Sequence, residues 1–204
     1  MTTRNAKPRS TDPRDYQRVP RPFAAMAKSF ADGFEIAPHH HRRDQLIYAV
    51  SGLMRVRTAH EAWIVPPDRA VYVPGGMTHS LSMRGDVEMR TLYIARDATS
   101  ALPETPAVIG VSDLLRELIL ALIAEPLLYD RAGRGGAIVS LILSEIMRAP
   151  RLPLVIKMPQ DARLRRVCAH LVETRRTAAR SRATPTSQAP RRGRSRGCSR
   201  TNCR

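Results

Sequence analysis

The feature that most constrains this chain is a succession of short strand-like segments. "QLIYAV", "LMRVRT", "AWIVP", "AVYVP" and "VEMRTLYIA" follow one another within residues 23–98. Each is rich in β-branched or aromatic residues, and Gly, Pro, His or Asp parts it from the next. In LMRVRT the apolar Met54 and Val56 alternate with Arg55 and Arg57, the period of a half-buried strand. Many short strands with turn signals between them predict an antiparallel barrel or jelly roll over 23–98, and so a mainly β fold.

The period changes after residue 110. In "VSDLLRELILALIAEPLL", Leu114, Leu115, Leu118 and Leu122 recur at helical spacing, Ser112 is a candidate N-cap and Pro126 marks the end. "GGAIVSLILSEIMRAP" predicts a second helix carrying Ile138, Leu141, Ile142, Glu145 and Ile146. Leu118, Leu122, Leu141 and Ile142 supply more apolar surface than one exposed face should show. Residues 111–149 are therefore expected to form a helical dimerisation segment, packing on the barrel of the same chain being the alternative. Residues 159–173 predict one more helix, with Leu164, Val167, Cys168 and Leu171 on one side. Residues 174–204 contain no aliphatic side chain larger than alanine and are expected to be disordered. So are residues 1–22, a polar arm with four prolines.

Charge divides the chain in the same place. Of the formal +16, ten charges are arginines between Arg175 and Arg204, where no acidic residue stands, leaving about six for residues 1–174. Such a tail can neutralise phosphates without reading bases, so any DNA binding through it would be non-specific. It has no aromatic residue to stack on bases. Cys168, Cys198 and Cys203 are too few and too clustered for a disulfide framework. No run of 18 apolar residues spans a membrane, and the N-terminus lacks the apolar core of a signal peptide, so a cytoplasmic protein is expected.

The residues with chemistry cluster in "GFEIAPHHHRRDQLIYAVSG" and "PGGMTHSLSM". His39 and His41, at i and i+2, point to one side of an extended segment, Gln45 falls on the next strand and His79 on a later one. A closed barrel turns all four inward. Imidazoles suit Zn, Ni, Cu or Fe, so His39, His41, Gln45 and His79 are candidate ligands of one divalent transition metal. Glutamine is neutral and a weaker ligand than glutamate. The alternative is that the histidines line a ligand pocket or hydrogen-bond one another. His40 should point outward, and His60 and His170 lie outside the pattern. Tyr48, Met54, Trp63 and Tyr72 are candidates for the wall of an effector pocket.

The spacing Gly33, His39, His41, Gln45, Gly52, then Pro74, Gly76, His79, resembles the two-part cupin signature. It departs from it at Gln45, where the family has glutamate, at Asp68, where it has glycine, and at Met83, where it has asparagine. Residues 44–83 further resemble the sensor domain of AraC/XylS-type transcription regulators, through Gln45, Leu46 and Tyr48, the stretch Trp63 to Ala70, and Pro74, Gly76 and His79. The resemblance spans roughly residues 23–173. It implies a cupin sensor barrel, a small-molecule effector, a homodimer, and a DNA partner read by two helix-turn-helix units. Residues 159–173 resemble the lead-in to those units, and the arginine-rich sequence after Glu173 is what a frameshift in a GC-rich gene yields. The chain is thus expected to be a truncated regulator. Two other readings stand beside it, a small metal-dependent cupin enzyme (dioxygenase or isomerase) and a bare interaction module.

Overall fold

The computed structural model describes residues 9–98 and 102–157, together with Asp161 and Arg163. Among them lie β1 (Phe23–Phe30), β2 (Glu35–His39), β3 (Asp44–Ala49), β4 (Leu53–Arg57), β5 (Glu61–Val65), β6 (Arg69–Val73), β7 (His79–Arg84), β8 (Val87–Ile94), β9 (Ala107–Gly110), α1 (Asp113–Ala124), α2 (Arg134–Arg148), β10 (Arg151–Leu152) and β11 (Ile156–Lys157). The strands pair antiparallel in two sheets, ordered β1-β8-β3-β6-β9-β10 and β11-β5-β4-β7-β2. The chain crosses repeatedly from one sheet to the other, which gives the mainly β, jelly-roll barrel followed by two helices that the sequence predicts.

Strict alternation along the first sheet builds two separate cores. On β3, Ile47 and Ala49 face the opposite sheet, while Leu46 and Tyr48 face away from it. On β6 the inner pair is Val71 and Val73, and the outer pair is Ala70 and Tyr72. The inner cluster, joined by Met54, Val56, Trp63 and Leu81 from the second sheet, fills the barrel. The outer cluster lies under the helices, where Leu115, Leu118, Ile119 and Leu122 of α1 and Ile138, Val139, Ile142 and Ile146 of α2 cover it. Being buried on both faces explains why β3 reads as one continuous apolar run.

This packing corrects the assignment of the dimerisation residues. Leu118, Leu122 and Ile142 are 8%, 1% and 0% exposed, each turned into the outer cluster of its own chain. Only Leu141, 50% exposed, faces solvent. The sheet's outer face is itself apolar, through Leu46, Tyr48, Tyr72 and Leu92, and it takes the stripe that the sequence offered to a second copy. The caps behave as read: Ser112 accepts from the Leu115 N–H at 3.1 Å, and α1 ends before Pro126.

The expected disordered arm is also corrected, for residues 9–22. A 3-10 turn, Pro13–Tyr16, capped by Asp12, carries the buried Tyr16 against Tyr93 with ring centroids 5.7 Å apart. Val19 is buried as well. The anchor is Arg43, 8% exposed, whose guanidinium donates to the carbonyls of Gln17, Val19, Arg21 and Tyr93. Arg9 donates to the Ala25 carbonyl at 2.9 Å, and Arg21 to that of Tyr129 at 2.6 Å, on the loop between the helices. The carbonyls of a proline-rich strap are thus satisfied by arginines distant in sequence. The helix expected at 159–173 lies outside the described residues except for Asp161 and Arg163, and the tail at 174–204 lies outside them altogether.

Candidate functional site

Two loops clamp together to build the site. The segment after β2 carries His41, and the Pro74–Gly76 turn precedes β7. The Gly76 N–H donates to the His41 carbonyl, and the Gly75 N–H to Asp44 Oδ1, both at 2.7 Å. Neither glycine tolerates replacement, for different reasons. Gly76 has a φ of +85°, and a Cβ on Gly75 would stand 2.6 Å from the Arg42 carbonyl oxygen. This close approach delivers His79, the first residue of β7, beside His39, the last residue of β2, with which it is paired in the ladder.

The three histidines converge. Ring centroids are 4.8 Å apart for His39 and His41, 4.5 Å for His39 and His79, and 5.5 Å for His41 and His79. Their nearest ligand nitrogens all lie within 4.8 Å of one another. His40 is exposed, as expected. His41 is 8% exposed, and its Nε2 is buried without a hydrogen-bond partner. Burial, reinforced by the neighbouring histidines, pushes its pKa down to about 3. His79 falls to about 4, chiefly through burial. Both are therefore neutral at physiological pH, the form that ligates a metal.

The hydrogen-bond directions around Gln45 test whether a cation fits. The Leu46 carbonyl can only accept, so the Thr91 hydroxyl, 3.0 Å away, spends its proton there. Thr91 Oγ1 then accepts from the Gln45 amide nitrogen at 3.0 Å, which turns Gln45 Oε1 toward His79 Nε2, also at 3.0 Å. On the other edge of the ring, His79 Nδ1 lies 3.0 Å from the Met77 carbonyl, and a neutral ring can donate to only one of these two acceptors. With its proton on Nδ1, His79 aims an Nε2 lone pair at the Oε1 lone pair of Gln45. His39 is held alike, its Nδ1 2.8 Å from the Ala37 carbonyl. Two acceptors face to face with an orphaned buried nitrogen nearby call for a cation between them. Two ligands about 2.1 Å from one ion, at right angles, lie about 3 Å apart. The donor set of His39, His41, His79 and Gln45 fits a divalent transition metal.

Beside this centre opens a cavity of about 580 Å³. Its walls include Met26, Phe30, Phe34, Ile36, Leu81, Met89 and Tyr93, with His39, His41 and Gln45 on one side and Pro13, Arg14 and Gln17 of the strap on another. The four residues expected to wall an effector pocket do not border it. Met54 and Trp63 are buried in the inner cluster, whereas Tyr48 and Tyr72 belong to the outer cluster beneath the helices. Burial and a hydrogen bond to Asp44 hold the Tyr72 hydroxyl protonated. The sequence held the signal that separates them: Tyr48 and Tyr72 are out of phase with Gln45 and Val73, so they point the other way. Lys28 and the strap residues were missed, because β1 carried no histidine from which to count.

A family model described as a cupin domain matches residues 29–95. Among curated proteins, the chain is 29% identical over 127 residues to the HTH-type transcriptional regulator NimR of Escherichia coli (strain K12), a match covering 62% of this chain and 46% of that one. The chain thus spans about half the length of the curated relative it matches. Among solved structures, it is similar to apo ToxT from Vibrio cholerae, at 8% identity and a TM-score of 0.47, covering 62% of this chain and 54% of that one. It is also similar to KdgF from Halomonas sp., at 26% identity and a TM-score of 0.33, covering 38% and 74%. The barrel thus matches a cupin-domain model, and the curated relative is an HTH-type transcriptional regulator.

Proposed function

We propose that this cupin-containing chain is the effector-sensing part of a transcription regulator of the AraC type. In this reading the barrel cavity takes a small molecule beside a metal centre. One observation carries it: the match to NimR covers 127 residues, whereas residues 1–98 number only 98. The likeness therefore runs past the barrel toward the helices, which a likeness of barrels alone would not do. The described fold suits the role. The strap lines the cavity through Pro13, Arg14 and Gln17, and it also holds the helical pair through Arg21 and Tyr129. Occupancy of the cavity is thereby felt at the helices.

His39, His41 and His79 would hold a zinc, nickel or iron ion through Nε2, and Gln45 through Oε1. When bound, the ion supplies a Lewis-acidic point for a ligand oxygen. Thr91 keeps Gln45 turned toward the centre, and the Met77 and Ala37 carbonyls fix the tautomers of His79 and His39. Among the described residues no helix is long and apolar enough to cross a membrane.

The test is a thermal-shift screen of small organic molecules on the full chain and on Met89→Trp, which fills the cavity. The expected result is ligands that raise Tm in the parent and not in the variant. No such ligand, or equal shifts in both, would remove the sensing role. A second reading, a metal-dependent enzyme, is favoured by the three converging histidines, two of which border the cavity. Turnover of a candidate substrate with added Fe(II), abolished in His79→Ala, would establish it instead.

A further inference from the structure

A second recess, of about 490 Å³, lies between the strap, the residues leading into β3 and those leaving β8. Arg18, Arg42, Arg43 and Arg96 line it, and Asp97 is the one carboxylate in its wall. Arg18, Arg42 and Arg96 are exposed. Arg43 is 8% exposed, and a charge so far out of water ordinarily has a counter-ion. Its four hydrogen bonds all go to main-chain carbonyls, those of Gln17, Val19, Arg21 and Tyr93. Carbonyls satisfy its N–H groups but leave its net charge uncompensated. Among the described residues neither Arg43 nor Arg18 nor Arg42 has an ion pair. Arg96 has one, its Nε 3.9 Å from Asp44 Oδ1, an oxygen that already accepts from the Gly75 N–H at 2.7 Å. Four guanidinium groups thus surround one recess, with carboxylates to offset only part of their charge. A cleft lined by one sign of charge focuses its field and concentrates ions of the other sign.

We propose that this recess binds the terminal phosphate of a small molecule, with Arg42 and Arg96 donating to its oxygens and Arg18 and Arg43 adding charge around it. The planar guanidinium fork matches the spacing of phosphate oxygens. A terminal phosphate gathers close to two negative charges and three acceptor oxygens at one point, which suits a compact cluster of arginines. Duplex DNA instead spreads single charges along its length. The recess adjoins the histidine cavity through Gln17 and Arg42, which border both. It is a separate site, and its ligand is independent of the sensing role given to that cavity.

The test titrates inorganic phosphate calorimetrically into the full chain at constant ionic strength. The double variant Arg42→Gln, Arg96→Gln is compared with Arg57→Gln, Arg84→Gln, which removes the same two charges from the other sheet. The first pair is expected to cut phosphate affinity at least tenfold, and the second less than twofold. Equal losses in both would mean that net charge alone attracts the ion. No loss in either would place it on other arginines, such as those from Arg175 onward. Each of these outcomes overturns the inference, as does a parent chain that binds no phosphate. Urea midpoints of both double variants are expected to match the parent, as exposed substitutions do. Should the first pair be destabilised, Arg18→Gln alone decides, with a loss of at least threefold expected and an unchanged affinity overturning the inference. A second arm titrates a DNA duplex of arbitrary sequence into the same proteins. Duplex affinity that exceeds that of phosphate and falls in the first pair only would assign the recess to a nucleic-acid backbone and overturn the small-molecule reading.

Discussion

The inner and outer faces of the six-stranded sheet are made from the same strands and do opposite things. Outside, Leu46, Tyr48, Tyr72 and Leu92 are sealed under two helices into a largely apolar layer, in which the Tyr72 hydroxyl meets the buried Asp44. Inside, the alternate residues of the same strands include Gln45, Thr91 and Tyr93, which border three histidines and a cavity of about 580 Å³. A strand buried on both sides can therefore serve as platform and site at once, because its period of two keeps the chemistries apart. The helices stabilise the sheet from behind, which lets the front keep an incompletely filled and incompletely satisfied interior.

The sharpest way to break this comparison is to cut one side chain from each face. Ile142 is fully buried in the outer layer, and Ile142→Ala should cost about 4 kcal/mol in urea unfolding, through lost burial and the cavity left behind. Met89 already borders a cavity, so Met89→Ala should cost about half as much. A larger loss at Met89 than at Ile142 would reverse the assignment of closed and open faces.

Acid should separate the faces next. Without metal, His41 and His79 titrate near 3 and 4 in the folded protein, against 6.5 when unfolded. Between these values the unfolded chain binds more protons, so stability is full above about pH 6.5 and falls as the pH drops toward 4. The loss at pH 4 should be on the order of several kcal/mol for these two groups together. Urea midpoints in chelator, from pH 7 to 4, measure it. His41→Leu should flatten the profile while Ile142→Ala shifts it without changing its slope. An unchanged slope in His41→Leu would mean that the acid-sensitive groups lie elsewhere.

The relay behind Gln45 offers a finer test. Thr91→Val removes the hydroxyl that turns Gln45 Oε1 toward His79. Zinc affinity, measured by competition with a chelating dye, should fall about tenfold, roughly 1.4 kcal/mol, with little change at the outer face. No change would show that Gln45 takes no part in holding the ion.

How much of this was legible in the sequence follows from the same period. The strands, the HxH pair, Gln45 and His79 were readable, since short alternating segments and fixed spacings are local signals. Tyr48 and Tyr72 were misplaced by judging residue type ahead of phase. Leu118, Leu122 and Ile142 were offered to a partner because the apolar outer face that covers them is assembled from five strands spread along the sequence. The strap was unreadable for a similar reason. Its burial depends on Arg43, more than twenty residues beyond it, whose bonds leave no pattern within the arm itself.

The smallest expected effect on stability concerns the side of α2 that the sheet does not cover. Ala137, Leu141, Ser144 and Arg148 are all exposed and recur at i, i+4, i+7 and i+11, so they share one face of the helix. Leu141 is the only one of the four expected dimerisation residues left on the surface. A pairing of two chains through the helices would use exposed positions such as this face, and not the buried stripe read from the sequence. Leu141→Glu should change the urea midpoint by less than about 0.5 kcal/mol, as exposed substitutions do. Placed across a two-fold contact, it would set two carboxylates against each other and shift sedimentation toward monomer. Leu118→Glu supplies the contrast: it buries a charge in the outer layer and should unfold the protein before association can be measured. If Leu141→Glu leaves a dimer intact, the contact lies elsewhere. If Leu118→Glu is folded and monomeric, the outer layer opens to a second copy, and the two faces of the sheet are less separate than their packing shows.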